Sequence, residues 1–492
     1  MTVSEAILAH ETAQCYIDGS WEVTGDQLVA TPDDSRNGER LISVTDTPAP
    51  VIDSCVRSAK SAFESWRGVS VEDRIQPMFT FKALLEEHQQ DLAEVLVLEH
   101  GKTLREATGE LRRGIENVEV ACGMPHLMQS PHLQNAAPDI DETAIRRPLG
   151  VFTAITPFNF PGMIPLWFLP YAVASGNSFI LKPSEKTPLT ATYLMKLIEE
   201  TGFPDGVVNM IHGGPNTVNR LIEHDDIEGA SFVGSTPVAK QVYELAARNG
   251  KRVQAQGGAN NYITVMPSAD LDLAIEQTVS SAFANSGQRC LANPNTIVVG
   301  DRYAEFTSQL VETARELTVG GGLDDGTDMG PLISADHRDS VEASIERGIE
   351  EGASLLLDGR EVEPMDGNPD GYYLGPTVFG DVDPSMSIVT DEIFGPVLTI
   401  QSVPDLDAAI ETINSSRFGN ATSLFTNNGR DAREFRHRVD AGNIGVNVGT
   451  AAPMAFFHFG GMKDSFFGDL HAQSDGVVKF YTDEVIYIER WP

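Results

Sequence analysis

An uncharged segment of 34 residues, from Pro148 to Leu181, constrains the fold of this chain more than any other feature. Its length and apolar character are those of a membrane-spanning helix. Five prolines interrupt it, however, and a broken helix leaves backbone groups without partners, which lipid does not tolerate. The segment therefore predicts a buried β-α-β unit: a strand GVFTAI, a loop TPFNFP, a helix near Ile164 to Ala174 and a strand SFILK.

Short apolar strands alternate with helical segments along the rest of the chain. Helical spacing of apolar residues predicts a first helix around Val56 to Trp66, a second from a cap at Ser70 to Gly101, and a third over Leu104 to Cys122. Further helices are predicted over Asp270 to Ala284 and Asp336 to Glu351, and strands at VVNMI, ASFVG, NYITVM, NTIVVG, ATSLFT and NIGVNV. This order is typical of an α/β fold with mostly parallel sheets. The segment GGGLDDGTDMGP, near residues 320–331, predicts a surface loop.

The charge balance of the 492 residues is strongly acidic. Thirty-five Lys and Arg oppose 71 Asp and Glu, which gives a formal net charge of −36 and argues against nucleic acid as a partner. The acidic residues are scattered through the helices, and a lysine-poor acidic surface stays hydrated when salt screens its charges. We interpret this balance as adaptation to a saline cytoplasm, the alternative being an ordinary acidic protein.

The cysteines and the N-terminal segment bear on compartment and cofactor. Cys15, Cys55, Cys122 and Cys290 lie far apart without a C-x-x-C pair, so neither a disulfide framework nor a metal site is expected. The opening MTVSEAILAHETAQ lacks the basic and apolar regions of a signal peptide. We expect a cytoplasmic protein without membrane partners, and 41% hydrophobic residues are enough for two or three domains.

The segment FANSGQRC, residues 283–290, carries the clearest chemical signal. Small residues before Cys290 allow a sharp turn that presents the sulfur to a cleft, where backbone N–H groups lower its pKa. A lone cysteine is more often an inert core residue. The surrounding residues resemble the nucleophile motif N-x-G-Q-x-C of the aldehyde dehydrogenase superfamily, matched by Asn285, Gly287, Gln288 and Cys290.

This resemblance extends along nearly the whole chain, because TPFNFP, LKPSE, FVGST, DEIFGPV and PMAFFHFGGMKDSFFGDLH follow the family's order. It implies an α/β fold with a Rossmann-like NAD domain, an α/β catalytic domain and a small β arm for oligomerisation into a homodimer or homotetramer. The implied NAD domain comprises residues 1–128 and 148–257 with 447–466, the catalytic domain 258–446, and the arm 129–147 and 467–492. The closing TDEVIYIERW has the alternation of such an arm strand.

The residues of the implied site also have an interpretation of their own. Asn159 lies on the loop after a parallel strand, where its amide and the Cys290 N–H could hold an oxyanion, although it could merely brace a turn. The resemblance implies that Lys182 and Glu185 bind the adenosine ribose, against the alternative of a surface ion pair. Further implied cofactor contacts are Gly234 and Ser235 at the pyrophosphate, Glu392 and Phe394 at the nicotinamide ribose, and Thr156, Phe158, Lys186 and Gln256. No G-x-G-x-x-G motif is present, and Ala239 occupies the place of a second glycine in many relatives.

Two features narrow the subfamily. Gln256 occupies the position of the glutamate that activates water in most aldehyde dehydrogenases, and an amide cannot act as a general base. CoA-acylating methylmalonate semialdehyde dehydrogenases also lack that glutamate, and they bind the substrate carboxylate through two arginines that Arg113 and Arg289 match. A guanidinium suits a carboxylate, although Arg113 alone would be a solvated helix charge near Glu110 and Glu116. The segment NNY replaces the K-N-H of these relatives.

The resemblance therefore implies an NAD-dependent dehydrogenase of malonate or methylmalonate semialdehyde, with coenzyme A as co-substrate. Cys290 would form a thioester that loses CO2 and passes to CoA. Two alternatives remain at this point. One is a hydrolytic dehydrogenase of another carboxylated aldehyde such as succinate semialdehyde, and the other is a non-catalytic, dehydrogenase-like structural protein.

Overall fold

The computed structural model describes residues 3–365, 368 and 370–491. Within these residues the strands form two large sheets, one three-stranded sheet and three two-stranded sheets. Helices pack on the large sheets, as the alternating pattern of the sequence predicts. No helix in the described part of the chain is long and apolar enough to cross a bilayer.

The uncharged segment forms the centre of the first large sheet. Val151–Ile155 and Ser178–Lys182 are parallel neighbours, and the helix Pro165–Ala174 connects them, so the predicted β-α-β unit is confirmed. All three elements are fully buried, which explains the absence of charge. The described strands of this eight-stranded sheet follow one another in the order Ser20–Glu22, Cys15–Ile17, Val208–Met210, Ser178–Lys182, Val151–Ile155, Ile227–Val233, Arg252–Gln256 and Phe466–Gly468.

The direction in which the chain adds strands to the sheet reverses at the strand Val151–Ile155. From that strand the chain adds Ser178–Lys182 and Val208–Met210 on one side, and then Ile227–Val233 and Arg252–Gln256 on the other. These five strands are parallel, so their carboxyl ends lie along one edge. Such a switch point opens a crevice at the carboxyl ends, where ligands of open α/β sheets bind.

The second large sheet has seven strands among the described residues and is parallel except at one edge, where Ser354–Leu357 runs antiparallel. The predicted strands of this region are confirmed, while three further strands lay outside the prediction. The order is Ser354–Leu357, Thr377–Gly380, Val397–Val403, Asn295–Val299, Tyr262–Val265, Ala421–Phe425 and Asn443–Val446.

The C-terminal segment forms a strand, as its alternation predicts. Thr482–Glu489 pairs antiparallel with Ile140–Pro148, which also pairs with His132–Ala137. Burial does not alternate along Thr482–Glu489, because most of its side chains are exposed on both faces of this small sheet. Ile486 and Ile488 are among the exposed apolar side chains.

The helices follow the predicted positions with one correction. The segment from Ser70 to Gly101 is not one helix but three, because Pro77 begins a new helix and the backbone at His88 departs from helical geometry. The described helices are Val3–Leu8, Ala49–Trp66, Val71–Arg74, Gln76–Glu87, Gln89–His100, Leu104–Cys122, Met124–Leu127, Pro165–Ala174, Pro188–Glu199, Pro215–Glu223, Thr236–Arg248, Leu271–Phe283, Tyr303–Arg315, Ala335–Glu350, Ser387–Thr390, Leu406–Ser415, Gly429–Arg438 and Ser474–Tyr481.

The glycine-rich loop near residues 320–331 is only partly at the surface. Residues 323–326 are exposed, but both ends of the loop are buried. One end is held by the Leu104 N–H, which donates to the Gly322 carbonyl at 2.9 Å. The polar composition indicated a surface loop, but the glycines let the backbone pass close to the start of the helix Leu104–Cys122.

Candidate active site

Cys290 follows a turn of three residues in the left-handed conformation. The φ angles of Asn285, Ser286 and Gly287 are 56°, 53° and 73°. Asn tolerates this conformation, Ser does so less readily, and such strain persists only where neighbouring contacts enforce it. At Gly287 a Cβ atom would lie 2.1 Å from the Gly395 carbonyl oxygen, so glycine is required there. We call residues 284–289 the nucleophile turn.

Hydrogen bonds from distant parts of the chain hold the nucleophile turn. Glu106 accepts from the Asn285 N–H at 2.6 Å, and the Ser286 hydroxyl donates to the Gly330 carbonyl at 2.6 Å. The buried Gln288 side chain accepts from the Ile333 N–H at 3.1 Å. The motif residues therefore fix the backbone that carries Cys290, and Gln288 has a structural role that its motif position alone did not reveal.

The Cys290 thiol lies in an environment that favours its neutral form. Burial raises the pKa of the Cys290 thiol to about 12, while Arg289 and the N–H groups of Cys290 and Leu291 act in the opposite direction. The Cys290 carbonyl accepts from the amides of Asn261 and Asn420 at 3.0 and 2.8 Å. Asn261, in the segment NNY, thus fixes the nucleophile backbone, which the sequence analysis did not anticipate.

Asn159 is brought against the nucleophile turn. It is buried on the loop of residues 156–164, which we call the oxyanion loop, and its amide nitrogen donates to the Gln288 carbonyl at 3.0 Å. The second amide hydrogen of Asn159 is not used by any hydrogen bond with a described residue. This arrangement places an amide donor beside the backbone of Cys290, whereas an amide that only braced its own loop would not reach the turn.

A buried ion pair underlies the oxyanion loop. Lys102 Nζ lies 2.5 Å from Glu110 Oε2 and donates to the Asn159 carbonyl at 2.7 Å. Glu110 Oε1 accepts from the N–H groups of Gly162 and Met163 at 2.8 and 3.1 Å. Burial raises the pKa of Glu110 and lowers that of Lys102, and each charge opposes the effect on its partner. This pair was not among the predicted site residues, although Lys and Glu at the start of an otherwise apolar helix face are a signal for it.

Cys290 and both predicted arginines, Arg113 and Arg289, line one cavity of about 350 Å³. Arg289 makes no side-chain hydrogen bond or ion pair with another described residue, and burial lowers its pKa. Arg113 donates to Glu116 at 2.7 Å and also to the Pro453 carbonyl. The predicted neighbour Glu116 is therefore a partner of Arg113, whereas Glu110 pairs with Lys102 instead. Apolar walls of this cavity come from Phe160, Trp167 and Phe459.

The predicted cofactor residues gather at the carboxyl ends of the parallel strands. Thr156 follows one central strand, Lys182 ends the next, Gly234 follows the third, and Gln256 ends the fourth. Ser235 precedes the helix Thr236–Arg248 and makes no side-chain cap hydrogen bond. They share the crevice at the switch point of the sheet, where a helix start can receive phosphate.

Lys182 and Glu185 form a half-buried ion pair at this edge, with Nζ and Oε2 3.0 Å apart. Burial raises the pKa of Glu185, but Lys182 and nearby N–H groups lower it by more, so the carboxylate stays charged. Only 4% of the Lys182 side chain is exposed, against 37% of Glu185. The pair is therefore not the solvated surface pair that the sequence allowed.

Aromatic rings surround the predicted residue Phe158. Its ring contacts those of Phe394 and His337 edge-on at centroid distances of 6.0 and 6.3 Å, and Lys186 Nζ lies 5.2 Å from its centroid. His337 also hydrogen-bonds the Phe394 carbonyl at 2.9 Å. Burial lowers the pKa of Lys186. Of these rings, His337 was not among the predicted site residues.

Glu392 lies close enough to Cys290 for its charge to raise the pKa of the thiol. It accepts from the Ala259 N–H at 2.8 Å. Its carboxylate fits only because residue 258 is glycine, since a Cβ atom there would lie 2.1 Å from Oε2. Burial raises the pKa of Glu392 to about 7. Gln256 is 4% exposed, and neither amide atom has a hydrogen-bond partner among the described residues. Gln256 does not line the cavity that contains Cys290.

Comparison with known proteins gives a family for this arrangement. The model of the aldehyde dehydrogenase family matches residues 24–485. The chain belongs to the aldehyde dehydrogenase family. The resemblance carried by the sequence motifs is thereby confirmed, and the α/β fold is that of the family.

Individual relatives of this aldehyde dehydrogenase are similar over their whole length. Malonate-semialdehyde dehydrogenase 1 of Geobacillus kaustophilus is 46% identical over 477 residues, which cover 97% of both chains. The structure of methylmalonate-semialdehyde dehydrogenase from Oceanimonas doudoroffii has a TM-score of 0.96 at 39% identity and 98% coverage of both chains. A Sinorhizobium meliloti protein, provisionally named methylmalonate-semialdehyde dehydrogenase and solved with NAD, has a TM-score of 0.96 at 37% identity, again with 98% coverage of both chains.

Proposed function

We propose that this aldehyde dehydrogenase oxidises malonate or methylmalonate semialdehyde with NAD and transfers the resulting acyl group to coenzyme A. The observation that carries the proposal is the shared cavity of Cys290, Arg113 and Arg289. A cavity with one nucleophile and two guanidinium groups suits an aldehyde that bears a carboxylate. The semialdehyde names of the relatives at 37–46% identity support the same substrate class.

The chain supplies the covalent chemistry through Cys290. The thiolate attacks the aldehyde carbon, and the Asn159 amide and the Cys290 N–H hold the oxyanion that forms. Loss of hydride from that carbon then leaves a thioester on Cys290. The substrate carboxylate, now β to the thioester carbonyl, leaves as CO2 because the carbonyl stabilises the carbanion, which then takes up a proton from solvent to give the acetyl or propionyl thioester. Transfer of the acyl group to the CoA thiol frees Cys290 and gives acetyl-CoA or propionyl-CoA.

Arg289 is the better placed of the two arginines to bind the carboxylate. Its guanidinium is partly buried beside Cys290, feels the charge of Glu106, and has no hydrogen-bond or ion-pair partner among the described residues. A buried cation without a partner is unfavourable, so binding an anion there is favourable. Arg113 already forms an ion pair with Glu116, and it contributes a second cation to the lining of the same cavity.

The crevice at the switch point has the side chains that NAD would require, and NAD would supply the hydride acceptor. Glu185 can accept from a ribose hydroxyl, Glu392 is close enough to Cys290 for its charge to act on the thiol, and Phe394 packs against Phe158. Gly234 and Ser235 precede the first turn of a helix, which can receive a pyrophosphate, and Ser235 makes no side-chain cap hydrogen bond there. The unpartnered amide of Gln256 lies at the same edge and offers both a donor and an acceptor to a bound molecule. Thr156, Phe158, Lys182 and Lys186 complete the proposed contacts.

The proposal assigns acyl transfer to CoA rather than to water. Gln256 occupies the family's position for the base, and a neutral amide cannot take a proton from water. The CoA thiol does not require such a base, because a small fraction of it is already thiolate at neutral pH. Hydrolysis of another carboxylated aldehyde, such as succinate semialdehyde, is the competing outcome.

We also propose the division of the chain that the motifs imply. The NAD domain comprises residues 1–128 and 148–257 with 447–466, the catalytic domain 258–446, and the arm 129–147 and 467–492. The two large sheets and the three-stranded sheet support this division.

Exposed Leu133, Ile486 and Ile488 on the small sheet support a homodimer or homotetramer, and four free thiols support a cytoplasmic protein.

The test is NADH formation from a panel of malonate, methylmalonate and succinate semialdehydes and propanal, with and without CoA. We expect sustained NADH formation from the first two only with CoA, and acetyl-CoA or propionyl-CoA as products. Full-speed turnover without CoA and release of free acid would move the protein to the hydrolytic alternative. Absence of NADH from every aldehyde would favour the non-catalytic alternative.

Two variants separate chemistry from cofactor binding. Cys290→Ala should abolish NADH formation and leave NAD affinity nearly unchanged, because the cofactor uses other residues. Cys122→Ala, at the far end of the helix Leu104–Cys122, is the matched control. More than a few per cent of wild-type activity in Cys290→Ala would contradict the assignment of the nucleophile.

A further inference from the structure

One stretch of nine residues, from Lys102 to Glu110, reaches both halves of the proposed oxyanion hole. Lys102 precedes the helix Leu104–Cys122, Glu106 lies in its first turn, and Glu110 lies one turn later. Spacing of three to four residues places Glu106 and Glu110 on the same helix face. Each of these side chains makes at least one hydrogen bond with a backbone group of another loop.

Lys102 and Glu110 hold the oxyanion loop from below. Lys102 Nζ donates to the carbonyl of Asn159 itself, at 2.7 Å. Glu110 accepts from the backbone N–H groups of Gly162 and Met163, three and four residues further along. Both side chains are at most 1% exposed, so water does not compete for these contacts.

Glu106 holds the nucleophile turn, which leads to the Cys290 N–H, the other half of the proposed oxyanion hole. Its Oε1 atom accepts from the Asn285 N–H at 2.6 Å, where the nucleophile turn begins. Its Oε2 atom accepts from the Thr103 N–H at 2.9 Å and completes a capping box with Thr103. The carboxylate thereby ties the start of the helix to the turn that carries the Cys290 N–H.

A buried ion pair is a costly way to stabilise a fold, since apolar residues of similar volume usually do as well. Its benefit here is positional, because ionic hydrogen bonds fix the Asn159 loop more narrowly than apolar packing does. We propose that Lys102 and Glu110 are positioning residues that set the Asn159 amide for oxyanion binding, with Glu106 setting the Cys290 N–H. The proposal rests on the proposed function, since it takes Cys290 as nucleophile and Asn159 as oxyanion donor.

The test compares two reactions of Cys290 that differ only in their need for an oxyanion hole. Acylation by p-nitrophenyl acetate passes through a tetrahedral oxyanion, forms a thioester and releases p-nitrophenolate. Alkylation by iodoacetamide displaces iodide without an oxyanion. Neither reaction requires NAD, CoA or a semialdehyde, so the test stands even if another aldehyde is the substrate.

The variant is Lys102→Met/Glu110→Gln in the full chain. The double change leaves no unpaired buried charge, and the carbonyl of the new glutamine amide could still accept from Gly162 and Met163, whereas the bond to the Asn159 carbonyl is lost. We expect the acylation burst to slow at least tenfold and alkylation to stay within twofold of the wild type. Lys251→Met is the matched control, because Lys251 holds the His224 and Ile227 carbonyls at the opposite edge of the same sheet.

A combination with Asn159→Ala shows whether the pair acts through Asn159. If it does, adding Lys102→Met/Glu110→Gln to Asn159→Ala should slow acylation by less than twofold further. Acylation at the wild-type rate in the double variant would overturn the proposal. Equal losses of acylation and alkylation would also overturn it, because they would mean that the pair shapes the nucleophile rather than the oxyanion hole. For Glu106, the change Glu106→Gln should likewise slow acylation more than alkylation, and the reverse order would refute its role.

Discussion

The Arg289 guanidinium lines the same cavity as the Cys290 thiol and counteracts the effect of burial on it. Burial raises the thiol pKa to about 12, and Arg289 is the largest of the influences that lower it. The resting thiol is therefore protonated at neutral pH, and its reactivity depends on the small thiolate fraction.

This relationship predicts a steep pH dependence for alkylation of Cys290. While the pH stays below the pKa, the thiolate fraction rises about tenfold per pH unit, so the iodoacetamide rate should rise likewise between about pH 7 and 10. Arg289→Met should slow alkylation at every pH, since it removes the stabilising charge, and Arg289→Lys should restore most of the rate. A rate that levels off below about pH 9 would contradict this prediction, because it would show that the folded protein stabilises the thiolate far more than a pKa of about 12 allows.

The paired arginines predict selective losses of activity. Replacing Arg113 or Arg289 by Leu should cost about 2 to 4 kcal/mol in kcat/KM for malonate semialdehyde, because one partner of a buried charged contact is lost. Propanal, which lacks the carboxylate, should be little affected. Glu116→Gln is the control for loss of the ion pair of Arg113 alone. Equal losses on both aldehydes would indicate damage to the cavity rather than to carboxylate recognition.

Glu185 predicts a preference for NAD over NADP. Its lowered pKa keeps the carboxylate charged at neutral pH, so it accepts a hydrogen bond from a 2′-hydroxyl but repels a 2′-phosphate. Glu185→Gln should narrow the ratio of kcat/KM values for the two cofactors, chiefly by improving NADP. Comparable efficiency with both cofactors in the wild type would show that Glu185 does not contact the ribose.

Gln256 predicts the fate of the thioester. Without CoA, the wild type should release one NADH per Cys290 in a burst and then turn over slowly, and CoA should restore steady turnover. Gln256 does not line the Cys290 cavity, so Gln256→Glu should raise the rate without CoA only if the bound thioester reaches its side chain, where a carboxylate can take a proton from water. Gln256→Asn, which keeps the amide, is the control and should stay dependent on CoA. An unchanged rate in Gln256→Glu would mean that the side chain does not face the thioester.

The net charge of −36 predicts a dependence on salt. Repulsion within the folded chain is relieved as the Debye length falls from about 10 Å at 0.1 M to about 3 Å at 1 M salt. Melting temperature and activity should therefore rise toward molar KCl. Sucrose at matched osmolality serves as a control without ionic screening, and full stability in dilute buffer would contradict halophilic adaptation.

Local patterns were sufficient for much of this fold. The uncharged segment with its prolines predicted the buried strands Val151–Ile155 and Ser178–Lys182 and the helix between them. Helical spacing predicted a helix over roughly the residues of Leu104–Cys122, where the structure has one. The prediction of one helix from Ser70 to Gly101 was wrong. The apolar spacing continues past Pro77 and His88, but the backbone does not form one continuous helix there.

The site divides in the same way. Cys290, Gln288 and Asn159 were recognisable because each stands in a short motif whose residue types carry the chemistry. The contacts of Lys102, Glu106 and Asn261 were not, since their partners are backbone groups on loops far away in the chain. A backbone carbonyl or N–H has the same composition at every position, so a motif cannot name it as a partner. For Lys102 and Glu106, only the packing of the start of the helix Leu104–Cys122 against two loops brings these groups within hydrogen-bond distance. For Asn261, it is the packing of its loop against the segment that carries Cys290.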